Sequence, residues 1–191
     1  MPLNTNCFLT EGLELTGCTK NNVGGIDAVY IANFKELVPG AGAVNLFTYD
    51  DATTGQITSI TTGATSAVFY QFDTVKETSS MSEAINVNVQ NGTLSFVPTV
   101  SLVMNKLDTA KRNLIHMMAT GLLVAVVKDN NGKYWMAGFT KGLDVTAVEA
   151  GTGTALGDRN GATVTMTGAE IYPIAELSSA AVAELLSVAT Y

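Results

Sequence analysis

A mostly β fold, a sandwich or barrel with one long hairpin, one packed α-helix and a C-terminal helix, is predicted by three features of the sequence. Two alternating runs flank the pair Asn91-Gly92, further runs of the same period recur along the chain, and Thr, Ser, Asn and Gly supply much of the polarity. That composition favours strands and turns. The 191 residues are read as a single domain, 1–191. Hydrophobic residues make up 47% and charged residues 14%, the reverse of the balance that keeps a chain disordered.

In chain order, residues 26–34 alternate as a strand. Residues 35–55 are richer in Gly, Ala, Thr and Asp, with less periodicity, and are read as a long loop or arm. Strands are expected again at 56–62 and 67–76. The hairpin follows, and Asn-Gly is the preferred pair of a two-residue type I′ turn. Such a turn sets Val89 opposite Leu94, Val87 opposite Phe96 and Ile85 opposite Pro98. One face then carries Ile85, Val87, Val89, Leu94 and Phe96 and is expected to be core. The reverse face carries Asn86, Asn88, Gln90, Thr93, Ser95, Thr99 and Ser101 and is expected to be wet.

At ~3.4 Å per residue the second hairpin strand, 93–104, is about 40 Å long. A globule of this size is roughly 40 Å across, so the hairpin spans the body or projects beyond it. Pro98 falls at a pair that exchanges no hydrogen bonds with the first strand, so its other flank is expected to be an edge or a bulge. A long, weakly charged edge invites aggregation unless a partner covers it.

Asp108 is placed to N-cap a helix ending before Gly121, with Ala110, Leu114, Met117 and Met118 at helical spacing. Strands at 122–128 and 133–139 are joined through Asp129-Asn130-Asn131-Gly132 as a hairpin loop. Residues 140–157 are read as a second long loop or arm, and Asp158-Arg159-Asn160-Gly161 as a turn into a strand at 162–171. After Pro173 a helix is expected at 179–189, with Val182, Leu185 and Leu186 on one face.

Catalytic chemistry finds no foothold. The lone histidine, His116, stands mid-helix with no acid or nucleophile at a recognisable spacing and is read as a surface or partly packed residue. Cys7 and Cys18 form no Cys-x-x-Cys pair and are expected to be free thiols, so no metal site is assigned. The glycines of residues 151–157 miss the dinucleotide spacing, and Asp129-Asn130-Asn131-Gly132-Lys133 lacks the closing Glu of a calcium loop. No cofactor and no enzymatic activity are expected. Tyr134 and Trp135 point to opposite faces of a strand, one expected in the core and the other as an interface anchor.

The net charge of −7, with ten basic residues, argues against a nucleic-acid reader, which neutralises phosphates with clustered Lys and Arg. It leaves room for a protein that lets DNA pass without gripping it. No signal peptide is visible at the start, and no apolar run approaches the length of a membrane-spanning helix. The expectation is a protein made in a cytoplasm, with no membrane partner.

Several stretches, taken in order, carry a resemblance. They are Gly24-Gly25-Ile26 leading into Val29-Tyr30-Ile31-Ala32-Asn33, then Lys76-Glu77-Thr78-Ser79-Ser80, then Asn91-Gly92-Thr93. Val103-Met104-Asn105-Lys106-Leu107-Asp108, residues 128–135 from Lys128 to Trp135, and Gly157-Asp158-Arg159-Asn160-Gly161 follow. Each alone is turn chemistry; their order resembles structural proteins of tailed bacteriophages, particularly the tail-tube-like proteins of phages of gut and Bacteroidetes bacteria. The resemblance implies a β-sandwich or barrel whose long strands join those of identical neighbours. It implies rings, usually sixfold, stacked around a channel that carries DNA into the host, with other phage tail proteins as further partners and the virion tail as location.

On that reading the wet face of the hairpin lines the channel, and DNA passes without sequence-specific binding. A collar, head-tail connector or capsid-decoration protein is the neighbouring alternative. A carbohydrate- or protein-binding β-sandwich using Tyr134 or Trp135 is the alternative of another class.

Overall fold

The computed structural model describes residues 22–38, 45–60 and 68–190. Cys7 and Cys18 lie outside them. The elements are β1 Ile26–Asn33, α1 Phe34–Leu37, β2 Phe47–Asp50, β3 Gln56–Ile60, β4 Phe69–Asp73, β5 Ser80–Asn88, β6 Thr93–Asn105, α2 Thr109–Thr120, β7 Leu123–Asp129, β8 Tyr134–Ala137, β9 Asp144–Gly151, β10 Gly161–Thr167, β11 Ala175–Leu177, α3 Ser179–Val188 and β12 Ala189–Thr190. The fold is mostly β with few helices, as the sequence predicts.

The strands form an eight-stranded sheet, β12-β4-β1-β7-β8-β11-β3-β2, and a four-stranded sheet, β5-β6-β10-β9. The larger sheet is dry on both sides at its centre, and the alternation within β7 shows why. Val124 and Val126 join a cluster with Tyr30, Ile57, Ile60 and Phe69, whereas Leu123, Ala125 and Val127 join a second with Val100, Leu102 and Val164. Burial on both faces requires the continuous apolar run that β7 carries. Residues of β3 and β4, from opposite ends of the sheet, share the first cluster, so the sheet curls around it. Ala181 and Leu185 of α3 enter the same cluster, while Leu186, expected on the packed face, is exposed. The second cluster lies between the larger sheet and one face of the smaller, with Ile115 and Met118 of α2 on its flank.

Both helices start where the sequence places them. Asp108 accepts from the Lys111 N–H (2.8 Å) and Ser178 from the Ala181 N–H (3.3 Å), each satisfying a first-turn donor.

Two stretches read as loops contain regular structure. Residues 35–55 hold most of α1 and all of β2, and residues 140–157 hold β9. A bulge at Thr146 of β9, between the pairs Ala147–Thr165 and Val145–Met166, shifts the register against β10. Period-two alternation is thereby broken, and the apolar positions no longer betray the strand.

Candidate functional site

The four-stranded sheet is covered on one face and, among the described residues, bare elsewhere. Val100, Leu102, Ala162, Val164 and Met166 point into the second core cluster. Beyond Pro98 the hairpin of β5 and β6 leaves the body. There Ile85, Val87, Val89 and Leu94 are 60%, 63%, 88% and 54% exposed. The expectation that they form core is therefore corrected. Phe96, at the foot of the projection, is half-buried, and among the described residues no second layer packs on the stripe above it. An exposed apolar stripe of this kind is a candidate interaction surface.

The register is also corrected. Asn88 pairs with Thr93, Val87 with Leu94, Ile85 with Phe96 and Glu83 with Pro98, so residues 89–92 form a four-residue loop. The Asn88 side chain accepts from the N–H groups of Gln90 (3.0 Å) and Asn91 (3.1 Å), and Gly92 closes the loop at φ +66°. That local side-chain turn outcompetes the two-residue alternative. A shift of two residues keeps every side chain on its expected face.

The reverse face combines Ser80, Ser82, Ala84, Asn86 and Asn88 of β5, Thr93, Ser95, Val97, Thr99, Ser101 and Val103 of β6, and Thr163, Thr165 and Thr167 of β10. Gln90 sits exposed in the loop. Among the described residues, the ionisable side chains in register with this face stand at its margin. They are Asp144 and Glu149 of β9, with Arg159 donating to Thr163 Oγ1 (2.8 Å) nearby. The result is a wall mostly of hydroxyls and amides, interrupted by Ala84, Val97 and Val103, with no cluster of positive charge.

The flank of β6 at Pro98 is paired rather than open. The β6–β10 register runs on unchanged past Thr99–Thr167 to a bridge between Phe96 and Glu170, which exchange N–H to O bonds of 2.9 and 2.7 Å. Pro98 still accepts from Gly168 N–H (3.3 Å), and only its own missing donor interrupts the ladder. Among the described residues the open margins are elsewhere: the outer edge of β5, nine residues long, and that of β9, eight. In the larger sheet the terminal strands are β2 and β12, of four and two residues, too short to template another chain.

Glu170 fixes the foot of the projection. Its backbone pairs with Phe96, and its buried carboxylate accepts from the N–H groups of Thr140 (2.9 Å), Lys141 (2.9 Å) and Gly142 (3.1 Å) and from the Thr140 hydroxyl. Burial pushes its pKa above the ordinary value against the opposing pull of these donors. Glu83, inside the stripe's base, accepts from Ile174 N–H (2.7 Å) and ties β5 to the body.

His116 is exposed on α2. Tyr134 packs against the first core cluster and lies 6.1 Å from Tyr30, centroid to centroid. Trp135 is half-buried, donates to Asp129 Oδ2 (3.4 Å), lies under Lys133 Nζ (5.7 Å) and lines a pocket of about 260 Å³. No three potential metal ligands converge among the described residues, and no helix there is long and apolar enough to cross a membrane. What sequence reading missed is the second edge, β9, hidden by its bulge.

Comparison with protein-family models, curated proteins and solved structures finds no match for this chain.

Proposed function

We propose that the chain is a structural protein of a phage virion, a tail-tube subunit that closes with identical copies into rings stacked around a DNA-conducting channel. One observation carries the reading: among the described residues the small sheet ends on two long unpaired edges, and their offset falls within the range of stagger that barrel closure demands. All neighbours in the order β5-β6-β10-β9 are antiparallel. Adding β5 of a second copy to β9 of the first therefore continues the alternation. The midpoint of β5, Ala84, lies opposite Val97 of β6. The middle of β9, at Val148, lies opposite Val164, which lies opposite Leu102. These heights differ by five positions along β6, about 17 Å at ~3.4 Å per residue.

In a closed barrel tilted by roughly 35–45°, each block of four strands at ~4.8 Å spacing is displaced along the strands by about 13–19 Å. Side-by-side copies without tilt would leave the two edges barely overlapping. A tilted ring brings them together and removes both edges.

Six copies, the number the resemblance implies, would make a barrel about 48 Å across between backbones and about 38 Å between side chains. A DNA duplex roughly 20 Å wide passes through such a lumen. The dry face is occupied by the larger sheet, so the Ser, Thr and Asn face is the one left to line the channel. A wall without clustered cations releases no counterions on contact and gives phosphates nothing to hold.

The test is electron microscopy and light scattering on the purified chain, with antibody labelling of particles. Rings or tubes, and label along tails, are expected. A chain that stays monomeric at high concentration and labels only heads would overturn the reading.

A further inference from the structure

The sequence contains three Asn-Gly pairs, Asn91-Gly92, Asn131-Gly132 and Asn160-Gly161. This dipeptide modifies itself when the Gly nitrogen can reach the Asn amide carbon, because no side chain on glycine blocks the approach. The fold treats the three very differently. Asn131 is held on both sides: its Nδ2 donates to Val23 O (2.8 Å), its Oδ1 accepts from Val23 N–H (2.9 Å), and Gly132 N–H donates to Asp129 O (3.1 Å). Asn160 Oδ1 accepts from Leu107 N–H (3.1 Å), and Gly161 is locked between β6 and β9, where an added Cβ would stand 2.2 Å from Met104 O. At the hairpin tip Asn91 and Gly92 are exposed, and no hydrogen bond among the described residues engages the Asn91 side chain or the Gly92 N–H. The space around Gly92 is open to 4 Å.

We infer that Asn91 is a site of spontaneous deamidation, and that the resulting carboxylate retires the subunit from assembly. The deprotonated Gly92 nitrogen bonds to Asn91 Cγ, the Cγ–Nδ2 bond breaks, and ammonia leaves. Water then opens the five-membered imide at either carbonyl, giving aspartate or isoaspartate. The net change is one water consumed and one ammonia released. The product places a negative charge at the end of the exposed stripe of Val89, Val87 and Leu94, where a covering partner would have to desolvate it. The modification stands on the geometry alone; its effect on assembly rests on the proposed ring.

The full chain, native and in denaturant, is incubated warm at mildly alkaline pH and followed by peptide mass spectrometry with isoaspartate labelling. In denaturant the three sites should convert at similar rates. In the native chain Asn91 should keep that rate while Asn131 and Asn160 slow roughly ten- to a hundredfold, the expected effect of breaking one or two hydrogen bonds before attack. Asn91→Gln should remove the native isoaspartate signal at position 91 and leave the slow conversion of Asn131 and Asn160. Native protection of Asn91 equal to that of the other two would overturn the assignment. Asn91→Asp should remain monomeric under conditions where the unmodified chain assembles; undiminished assembly would overturn the link to assembly and leave the modification standing.

Discussion

Replacing Ile85, Val87 and Leu94 together by Thr separates the free energy of folding from that of assembly. The three side chains are 60%, 63% and 54% exposed in the single chain. Full burial of such residues is worth about 1.5–3 kcal/mol each, so the exposed part still available to a partner is about 1–2 kcal/mol per residue. Threonine keeps strand propensity and removes most of that apolar area. The dilute monomer should lose little, within about 1 kcal/mol, or a melting shift of roughly 2–4 °C for a domain of this size. Each intersubunit contact should lose about 2–5 kcal/mol, raising the dissociation constant by roughly 30- to several-thousandfold. Melting of the dilute chain and sedimentation velocity across concentration give the two quantities. Leu102→Ala, in the core and fully buried, should do the opposite and cost about 2–5 kcal/mol of folding. If the triple variant melts far below the parent while its assembly is unchanged, the stripe serves the monomer and the reasoning fails.

Ile85→Pro probes the edge itself. Phe96 spends its backbone groups on Glu170, so Ile85, directly opposite Phe96, directs its N–H to the free side. Proline there should leave the dilute monomer folded by circular dichroism and abolish ring formation; a collapsed monomer would show that the edge is already in use. At Glu170, Ala should strand three backbone donors and cost about 3–5 kcal/mol by denaturant melting, with Gln milder. Because burial raises the folded pKa of Glu170, its contribution is full below the unfolded value and fades as pH rises through the folded one. Glu170→Gln should flatten that part of the stability profile, and an unchanged slope would assign the pH dependence to another group.

The parts of the fold legible in the sequence are those set by local chemistry. Asp108 and the apolar spacing of Leu114 and Met118 mark α2, and the run from Leu123 to Val127 marks a strand covered on both faces. The hairpin's faces were equally readable, because alternation fixes them whatever the turn. Its register was not, since the Asn88 side chain chooses the loop and only the folded geometry brings it to Gln90 and Asn91. The core expected at Ile85, Val87, Val89 and Leu94 failed for a related reason. Period two says that a face is apolar; what covers it depends on how far the strand outruns its neighbours, and β10 stops pairing before the tip. Glu170 carries no motif at all, and its role comes from the meeting of residues about 30 positions apart.

The separation of body and tip lets the core of the single chain be complete while the tip stays bare. Both core clusters draw on β1 and β7, and neither includes a residue between Ala84 and Phe96. The hairpin above Phe96 therefore contributes little to holding the monomer together, and its apolar area remains available to a neighbour. Its anchorage lies at the foot, where Glu83 holds Ile174, Glu170 gathers Thr140 to Gly142, and Pro98 leaves one gap in an otherwise unbroken register. A projection anchored at its base and bare along its length keeps a fixed direction. Fixed direction is what repeated head-to-tail addition needs, since a ring closes only if every copy repeats the same displacement. The acidic balance of the whole chain, −7, opposes random sticking of these bare tips at low concentration, and the uncharged wall of β5, β6 and β10 keeps that repulsion away from the surface that would turn inward in the proposed ring.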